Sequence, residues 1–216
     1  MTMRPRALLT IVGVAVALAC GAGAASAASY LHLGTTTGNL LAPGTPIMPA
    51  STGYATLSIS VLGIHGCGPG SGFVTVGASG GATIAATGGG LTFTACSTPI
   101  SGMTFTGCHL VPPLPTATIT ATSSTGGAVT FTDTYMRCDV TNTPFGCYLT
   151  AATATGIITN AGATLAYTNV PVQHSVPLGG TGDLGAACGT TGLFSASFTD
   201  LTAGSPSSTL VLNQTA

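Results

Sequence analysis

Residues 116–122 read Thr-Ala-Thr-Ile-Thr-Ala-Thr, an unbroken alternation of hydroxyl-bearing and apolar side chains. Alternate residues of a β-strand point to opposite faces, so this pattern is typical of a strand that is buried on one face only. The same period of two recurs at 91–95, 129–132 and 194–198, and segments rich in Gly or Pro separate the repeats. No window has the apolar stripe of a helix. We therefore predict an all-β chain of ten or more short antiparallel strands.

Strands of this number and spacing occur both in sandwiches and in barrels. We predict an antiparallel β-sandwich, of the Greek-key, immunoglobulin-like or jelly-roll-like kind, cross-linked by disulfides. No stretch resembles a flexible linker, so we expect residues 28–216 to form a single all-β domain. Within it, the Pro-rich segment 28–52 is predicted to be an extended N-terminal arm.

The N-terminal segment 1–27 has the pattern of a secretory signal peptide. Two arginines precede an apolar run at 7–19, and Ala25-Ser26-Ala27 provides a cleavage site of small residues. We predict a secreted, extracellular protein; the alternative is a lipid anchor through Cys20, because Ala17-Leu-Ala-Cys20 partly resembles a lipoprotein box. A membrane span needs about 20 apolar residues, and no such run follows, so we expect no transmembrane segment.

Six cysteines follow the signal segment: Cys67, Cys96, Cys108, Cys138, Cys147 and Cys188. An even number in an exported chain indicates three disulfides, and six cysteines allow 15 pairings. Cys138 and Cys147 flank the turn-forming segment 139–146 symmetrically, which predicts that a hairpin brings them opposite each other.

The remaining pairings are less constrained by the sequence. Cys96 and Cys108 bracket a second turn at 97–102, and if both local pairs form, Cys67 and Cys188 are left to close a long loop. The alternative is a zinc site built on His65-Gly-Cys67 and Cys108-His109. We favour disulfides and expect no metal or other cofactor, because zinc ligands usually come in pairs two to four residues apart and export is oxidising.

Charged residues are nearly absent. The whole chain has three Lys or Arg residues and four Asp or Glu residues, and beyond the signal segment Arg137 is the single cation. Nucleic-acid binding is excluded, since it needs a patch of Lys and Arg. On a strand over 132–140, Asp133, Tyr135, Arg137 and Asp139 would share one face. A surface salt-bridge ladder is the favoured interpretation; in the alternative, Tyr135, Arg137 and Asp139 bind a ligand.

Material for catalysis is scarce. Gly77-Ala-Ser79-Gly-Gly81 matches the G-x-S-x-G pattern of a nucleophile elbow, but no helical pattern follows it. The four histidines are scattered along the chain, so we predict no catalytic residue. A secreted hydrolase is retained only as a third hypothesis.

The lack of charge also bears on function. Exposed strand edges are usually protected by Lys or other charges, and this chain has no Lys at all. The edges must therefore be closed within the fold or be used for association. Our leading hypothesis is a non-catalytic secreted or cell-surface protein with a structural or adhesive role, which self-associates or contacts the cell envelope. The alternative is an extracellular binding module or carrier for a small apolar molecule or a glycan, although the absence of Trp disfavours glycans.

Several motifs resemble those of exported Thr- and Gly-rich β proteins of high-GC Gram-positive bacteria. They are Leu91-Thr-Phe-Thr-Ala-Cys96, the stretch 147–159, Leu165-Ala-Tyr-Thr-Asn-Val170, Cys188 and Ala196-Ser-Phe198. This resemblance implies a compartment and an all-β fold, but no activity. A second similarity is to the small secreted apoproteins that sequester enediyne chromophores, from which this chain departs in length and in cysteine spacing.

Overall fold

The computed structural model describes residues 27–50, 55–60, 62–68, 70–96, 104–175, 182–203 and 208–215. The first 26 residues of the predicted signal segment, with Cys20, lie outside this part of the chain, as does the predicted turn at 97–102. The described residues include thirteen strands: β1 (Tyr30–Leu33), β2 (Pro46–Ala50), β3 (Ala55–Ile59), β4 (Gly63–Cys67), β5 (Gly70–Val76), β6 (Ile84–Cys96), β7 (Phe105–Leu110), β8 (Thr116–Ser123), β9 (Gly126–Val140), β10 (Gly146–Thr159), β11 (Thr164–His174), β12 (Thr191–Ala203) and β13 (Ser208–Asn213).

One short 3-10 turn, Gly185–Cys188, is the single helical element in the described ranges. No helix there has the length and apolar character that crossing a membrane requires. The all-β prediction is confirmed. In β8, for example, Ala117, Ile119 and Ala121 are buried, as the alternation of residues 116–122 predicts.

Eight strands close into an antiparallel barrel. Their order is β2-β5-β6-β7-β9-β10-β11-β12, and β12 pairs back with β2 through Thr202 opposite Met48 and Ala203 opposite Ile47. The predicted sandwich, with its Greek-key, immunoglobulin-like or jelly-roll-like variants, is therefore wrong. An alternating pattern determines which face of each strand is buried, but it is the same in a sandwich and in a barrel. The decisive pairing joins residues about 150 positions apart, which no local pattern indicates.

The other strands extend this barrel. Both β7 and β8 pair with β6 on one side and with β9 on the other. β7 pairs with one end of these two long strands and β8 with the other end, so that together they fill one position in the barrel wall. Similarly, β3 pairs with one end of β12 while β2 pairs with the other, and β4 pairs with β3. The segment 28–52, for which we expected an extended arm, contributes β1 and β2; β1 pairs with β13, and β2 closes the barrel.

The six cysteines form three disulfides, as predicted, but with different partners: Cys67–Cys96, Cys108–Cys138 and Cys147–Cys188. The two local pairs and the long Cys67–Cys188 bridge that we considered are wrong. Cys147 does lie directly opposite Cys138 on the β9–β10 hairpin. However, Cys108 lies opposite Cys138 on the other side, in β7, and takes the bond. A strand in a barrel has two neighbours, and sequence spacing indicates only the hairpin neighbour.

Candidate functional site

A seam interrupts the barrel wall between β7 and β8. On β6, Thr92 pairs with β7 and Thr87 pairs with β8, so the segment 88–91 lies between the two ladders. The crossover 111–115 covers this gap. It is attached by two backbone bonds, one from the Gly88 N–H to the Pro115 carbonyl (2.9 Å) and one from the Val111 N–H to the Tyr135 carbonyl (3.0 Å). The wall is thus held here by single hydrogen bonds instead of by a strand ladder.

A glycine-rich bulge forms one border of the seam. Gly90 pairs with Phe73 and Gly88 pairs with Val74, which leaves Gly89 as the extra residue of a β-bulge between β5 and β6. The ring of Phe73 lies directly on Gly89, where any Cβ would overlap it. Phe73 is 46% exposed. An aromatic ring that is half in solvent therefore lies across a part of the wall that has no side chains of its own.

Behind this seam the barrel contains an apolar cavity of about 90 Å³, which is partly open to the outside. Gly88, Gly90, Leu110 and Pro115 line it at the seam, and side chains from β9, β10, β11 and β12 line it inside. No charged side chain is found among its described lining residues. The cavity is thus a hydrophobic space that reaches the part of the wall between the two ladders.

Two hydroxyl groups interrupt this apolar lining, those of Tyr167 and Thr134. The Oη atom of Tyr167 and the Oγ1 atom of Thr134 are both buried, and neither has a hydrogen-bond partner among the described residues. Tyr167 as a whole is 7% exposed. Leaving such a group unpaired costs about 1–3 kcal/mol. Burial also raises the pKa of Tyr167 well above its ordinary value of 10.0, so the phenol stays protonated and can donate.

The position of Tyr167 depends on a glycine on the neighbouring strand. Tyr167 of β11 lies opposite Gly156 of β10, and a Cβ on Gly156 would be 2.7 Å from the Cε1 atom of the tyrosine. The ring therefore covers the bare backbone at Gly156. It also contacts Phe198 edge-on, with ring centroids 6.4 Å apart, and Phe131 at 6.3 Å. These contacts fix the ring while leaving its hydroxyl unpaired.

Residues with a positive φ change the alternation of two strands and bring further side chains into the cavity. Phe131 and Thr134 both line it although they are three residues apart on β9, and Asp133 between them has a positive φ of 51°. On β11, Tyr167 and Val170 show the same spacing, with Asn169 at φ 51° and a register shift. Asp and Asn are the residues that tolerate this conformation best. An Asp or Asn that breaks a period-two pattern is thus the signal by which the sequence could have indicated these sites.

The predicted surface residues divide into two groups. Arg137 and Asp139 come together, with Nε 2.8 Å from Oδ1, and His109 Nδ1 lies 3.3 Å from the Oδ2 of the same carboxylate. Tyr135 instead lines a shallow outer groove with Asp133.

Arg137 makes further contacts within the chain. Its Nη2 donates to the Pro144 carbonyl at 3.0 Å, and its guanidinium lies 5.4 Å from the centroid of the Tyr148 ring. These contacts fit the salt-bridge interpretation, in which an exposed pair stabilises by about 0–1 kcal/mol. A ligand-binding role for Tyr135, Arg137 and Asp139 stays a prediction.

A second ionisable pair was missed by sequence reasoning. His174 Nε2 lies 2.9 Å from Asp183 Oδ2, and the two side chains are 15% and 8% exposed. Asp183 precedes the 3-10 turn that carries Cys188, and Gly146 of β10 exchanges backbone hydrogen bonds with Gly182 and Leu184. The pair therefore helps to hold the segment 182–188 on the barrel. No spacing rule connects these two residues in the sequence.

The residues of the predicted nucleophile elbow and of the alternative zinc site make structural contacts within the chain. Ser79 of the G-x-S-x-G match lies in a turn between β5 and β6, where its Oγ accepts a bond of 3.3 Å from the Leu31 N–H. Cys67 and Cys108 of the zinc alternative are each bonded to another cysteine and offer no thiolate. His65 is completely buried against the ring of Phe105, at a centroid distance of 5.0 Å, and burial lowers its pKa from the usual 6.5.

Comparison with known proteins adds nothing to this picture: no protein-family model, no curated protein and no solved structure matches the chain. Function must therefore be argued from the cavity and from the side chains around it.

Proposed function

We propose that this chain is an exported, non-catalytic barrel protein that binds a small apolar molecule in its interior. The observation that carries the proposal is the cavity of about 90 Å³, lined by apolar side chains and adjoining the seam. Export is supported by the predicted signal segment 1–27 and by the three disulfides, since such bonds persist in oxidising compartments.

The size of the cavity limits the ligand. An apolar cavity of about 150 Å³ stays dry and takes up benzene, whereas pockets for drug-sized ligands measure about 300–1,000 Å³. A cavity of about 90 Å³ therefore suits a compact molecule, of the order of benzene or smaller. Met136 lines the space, and its unbranched side chain can adapt to the shape of a ligand.

The seam supplies a route to the interior. The crossover 111–115 and the ring of Phe73 border this route, and moving either of them breaks no strand ladder. Leu114 on the crossover is 43% exposed, so apolar surface is present outside the seam as well as inside it. A hydrophobic ligand would thus contact apolar side chains from the surface to the cavity.

Barrel closure weakens the argument for our leading sequence hypothesis, the structural or adhesive protein. Eight strands have both edges occupied within the barrel, so the missing lysines leave fewer edges unprotected. Self-association stays a second candidate because the chain has no Lys to protect the strand edges outside the barrel. Sedimentation of the oxidised protein over a hundredfold concentration range tests it; a strict monomer would remove it.

A matched pair of variants tests the binding proposal. Ala151 is 5% exposed, lines the cavity and lies opposite Thr134, whereas Ala152 is exposed on the outer face of the same strand. We expect benzene to shift the NMR signals of cavity-lining residues in the oxidised protein. Ala151→Leu should abolish these shifts by filling the cavity, and Ala152→Leu should leave them unchanged. Shifts confined to surface residues, or retained in Ala151→Leu, would contradict the proposal.

A further inference from the structure

We infer that the ligand is uncharged and carries a hydroxyl or carbonyl oxygen, which accepts a hydrogen bond from the Tyr167 hydroxyl. This inference rests on the proposed function and specifies the chemistry of the molecule that occupies the same cavity.

The phenol of Tyr167 has no hydrogen-bond partner among the described residues. The Tyr167 side chain lines the cavity, and its Oη atom is buried. Buried polar groups in proteins are nearly always hydrogen-bonded, and exceptions call for a specific reason. The Oη atom itself is covered, so a small shift of the ring would uncover it and let a ligand oxygen in the cavity provide the missing acceptor. Phenylalanine at this position would fill the same space without the unpaired group, so packing alone does not account for the tyrosine.

The cavity offers no partner for a charged ligand. The described lining of the cavity has no Asp, Arg or His that could pair with an ionised ligand. Transferring an unpaired carboxylate or ammonium group into such a space is far more costly than transferring a neutral oxygen. A fatty acid or an amine is therefore disfavoured, while a small ketone or alcohol suits the site.

The hydroxyl groups of Thr134 and Tyr167 lie at different positions along the barrel wall. The β10 strand lies between β9 and β11, and it pairs Ala151 with Thr134 but Gly156 with Tyr167. The two pairs are five residues apart along β10, so the backbone positions that carry the two hydroxyls lie about 17 Å apart along the strand at 3.3 Å per residue. The two groups are therefore separate candidate anchors. We assign the oxygen to Tyr167, which is more than nine-tenths buried and is held by aromatic contacts.

The test compares two probes of similar shape, cyclopentanone and cyclopentane, on the oxidised full-length chain. In the wild-type protein both should bind, since both fit an apolar space. Tyr167→Phe should weaken cyclopentanone binding about tenfold, in keeping with the loss of one hydrogen bond, and should leave cyclopentane binding unchanged or tighter. Thr134→Val, which removes the other unpaired hydroxyl, should keep the ratio of the two affinities within about twofold of the wild-type ratio.

A spectroscopic measurement makes the assignment independent of affinity. The carbonyl stretch of bound cyclopentanone should lie at lower frequency in the wild-type protein and in Thr134→Val than in Tyr167→Phe, because only the first two donate to it. Equal effects of Tyr167→Phe on both probes, or loss of the shift in Thr134→Val instead, would overturn the inference while leaving the proposed function intact. If neither probe binds the wild-type protein, the proposed function fails and the inference fails with it.

Discussion

Gly156 and Tyr167 face each other on neighbouring strands, and the ring of the tyrosine lies over the backbone that the glycine leaves uncovered. Gly156→Ala would put a Cβ 2.7 Å from Cε1 and 2.8 Å from Cζ of this ring. Because the ring is packed among other aromatic side chains, we expect a loss of about 1–3 kcal/mol in the free energy of unfolding, together with loss of cavity binding. Urea unfolding and the benzene titration measure the two effects.

The matched control for that variant is Gly90→Ala. Gly90 also lines the cavity, but the nearest atom to an added Cβ is Cε1 of Phe73, at an ordinary contact distance of 3.7 Å. Its unfolding free energy should therefore stay close to that of the wild-type protein. Equal stability of both alanine variants would show that the ring does not depend on Gly156.

Removing the ring of Phe73 should change the rates of ligand exchange. Phe73 covers Gly89 at the seam and is half in solvent, so Phe73→Ala removes a barrier to entry and less buried area than the loss of a core phenylalanine would. We expect association and dissociation rates to rise together, each several-fold, with a much smaller change in Kd. NMR lineshape analysis of a benzene titration measures them. Leu193→Ala, at a residue that is 44% exposed and away from the cavity, is the control and should leave both rates unchanged.

His65 should make the protein less stable in mild acid. Burial lowers the pKa of His65 below the usual 6.5, so the unfolded chain binds a proton at this residue more readily than the folded chain. The contribution of neutral His65 to the free energy of unfolding is therefore fully present above about pH 6.5. This contribution decreases as the pH falls below that value towards the folded-state pKa. Unfolding free energies at pH 7.5 and 5.0 measure the loss. His65→Leu should reduce it, and an unchanged pH dependence in that variant would exclude His65 as its source.

The disulfides should contribute strongly to stability. Cys147–Cys188 closes a loop with a sequence separation of 41, for which the chain-entropy model gives about 4 kcal/mol. We expect the double variant Cys147→Ala/Cys188→Ala to lose about that amount in urea unfolding. Mass spectrometry of peptic fragments should find Cys138 joined to Cys108. A Cys138–Cys147 link would contradict the structure, although these two residues lie opposite each other.

The sequence predicted local structure well because each strand carries its own alternation. The buried Ala117, Ile119 and Ala121 follow directly from it, and so does the β9–β10 hairpin that brings Cys138 opposite Cys147. The barrel could not be predicted in this way, because β2 pairs with β12 across most of the chain. The cavity depends on Gly156 lying opposite Tyr167 and on the left-handed Asp133 and Asn169, none of which the alternating pattern indicates.

The pairing of Met48 with Thr202 has a consequence for how the molecule reaches its native state. Neighbouring hairpins such as β9–β10 can form as soon as both of their strands exist, but the ring of strands is incomplete until a segment near the C-terminus meets one near the N-terminus. Contacts between such distant residues are slow to form, because a long loop must be ordered first. Closure of the barrel should therefore be a late step, which cannot begin until β12 has been synthesised.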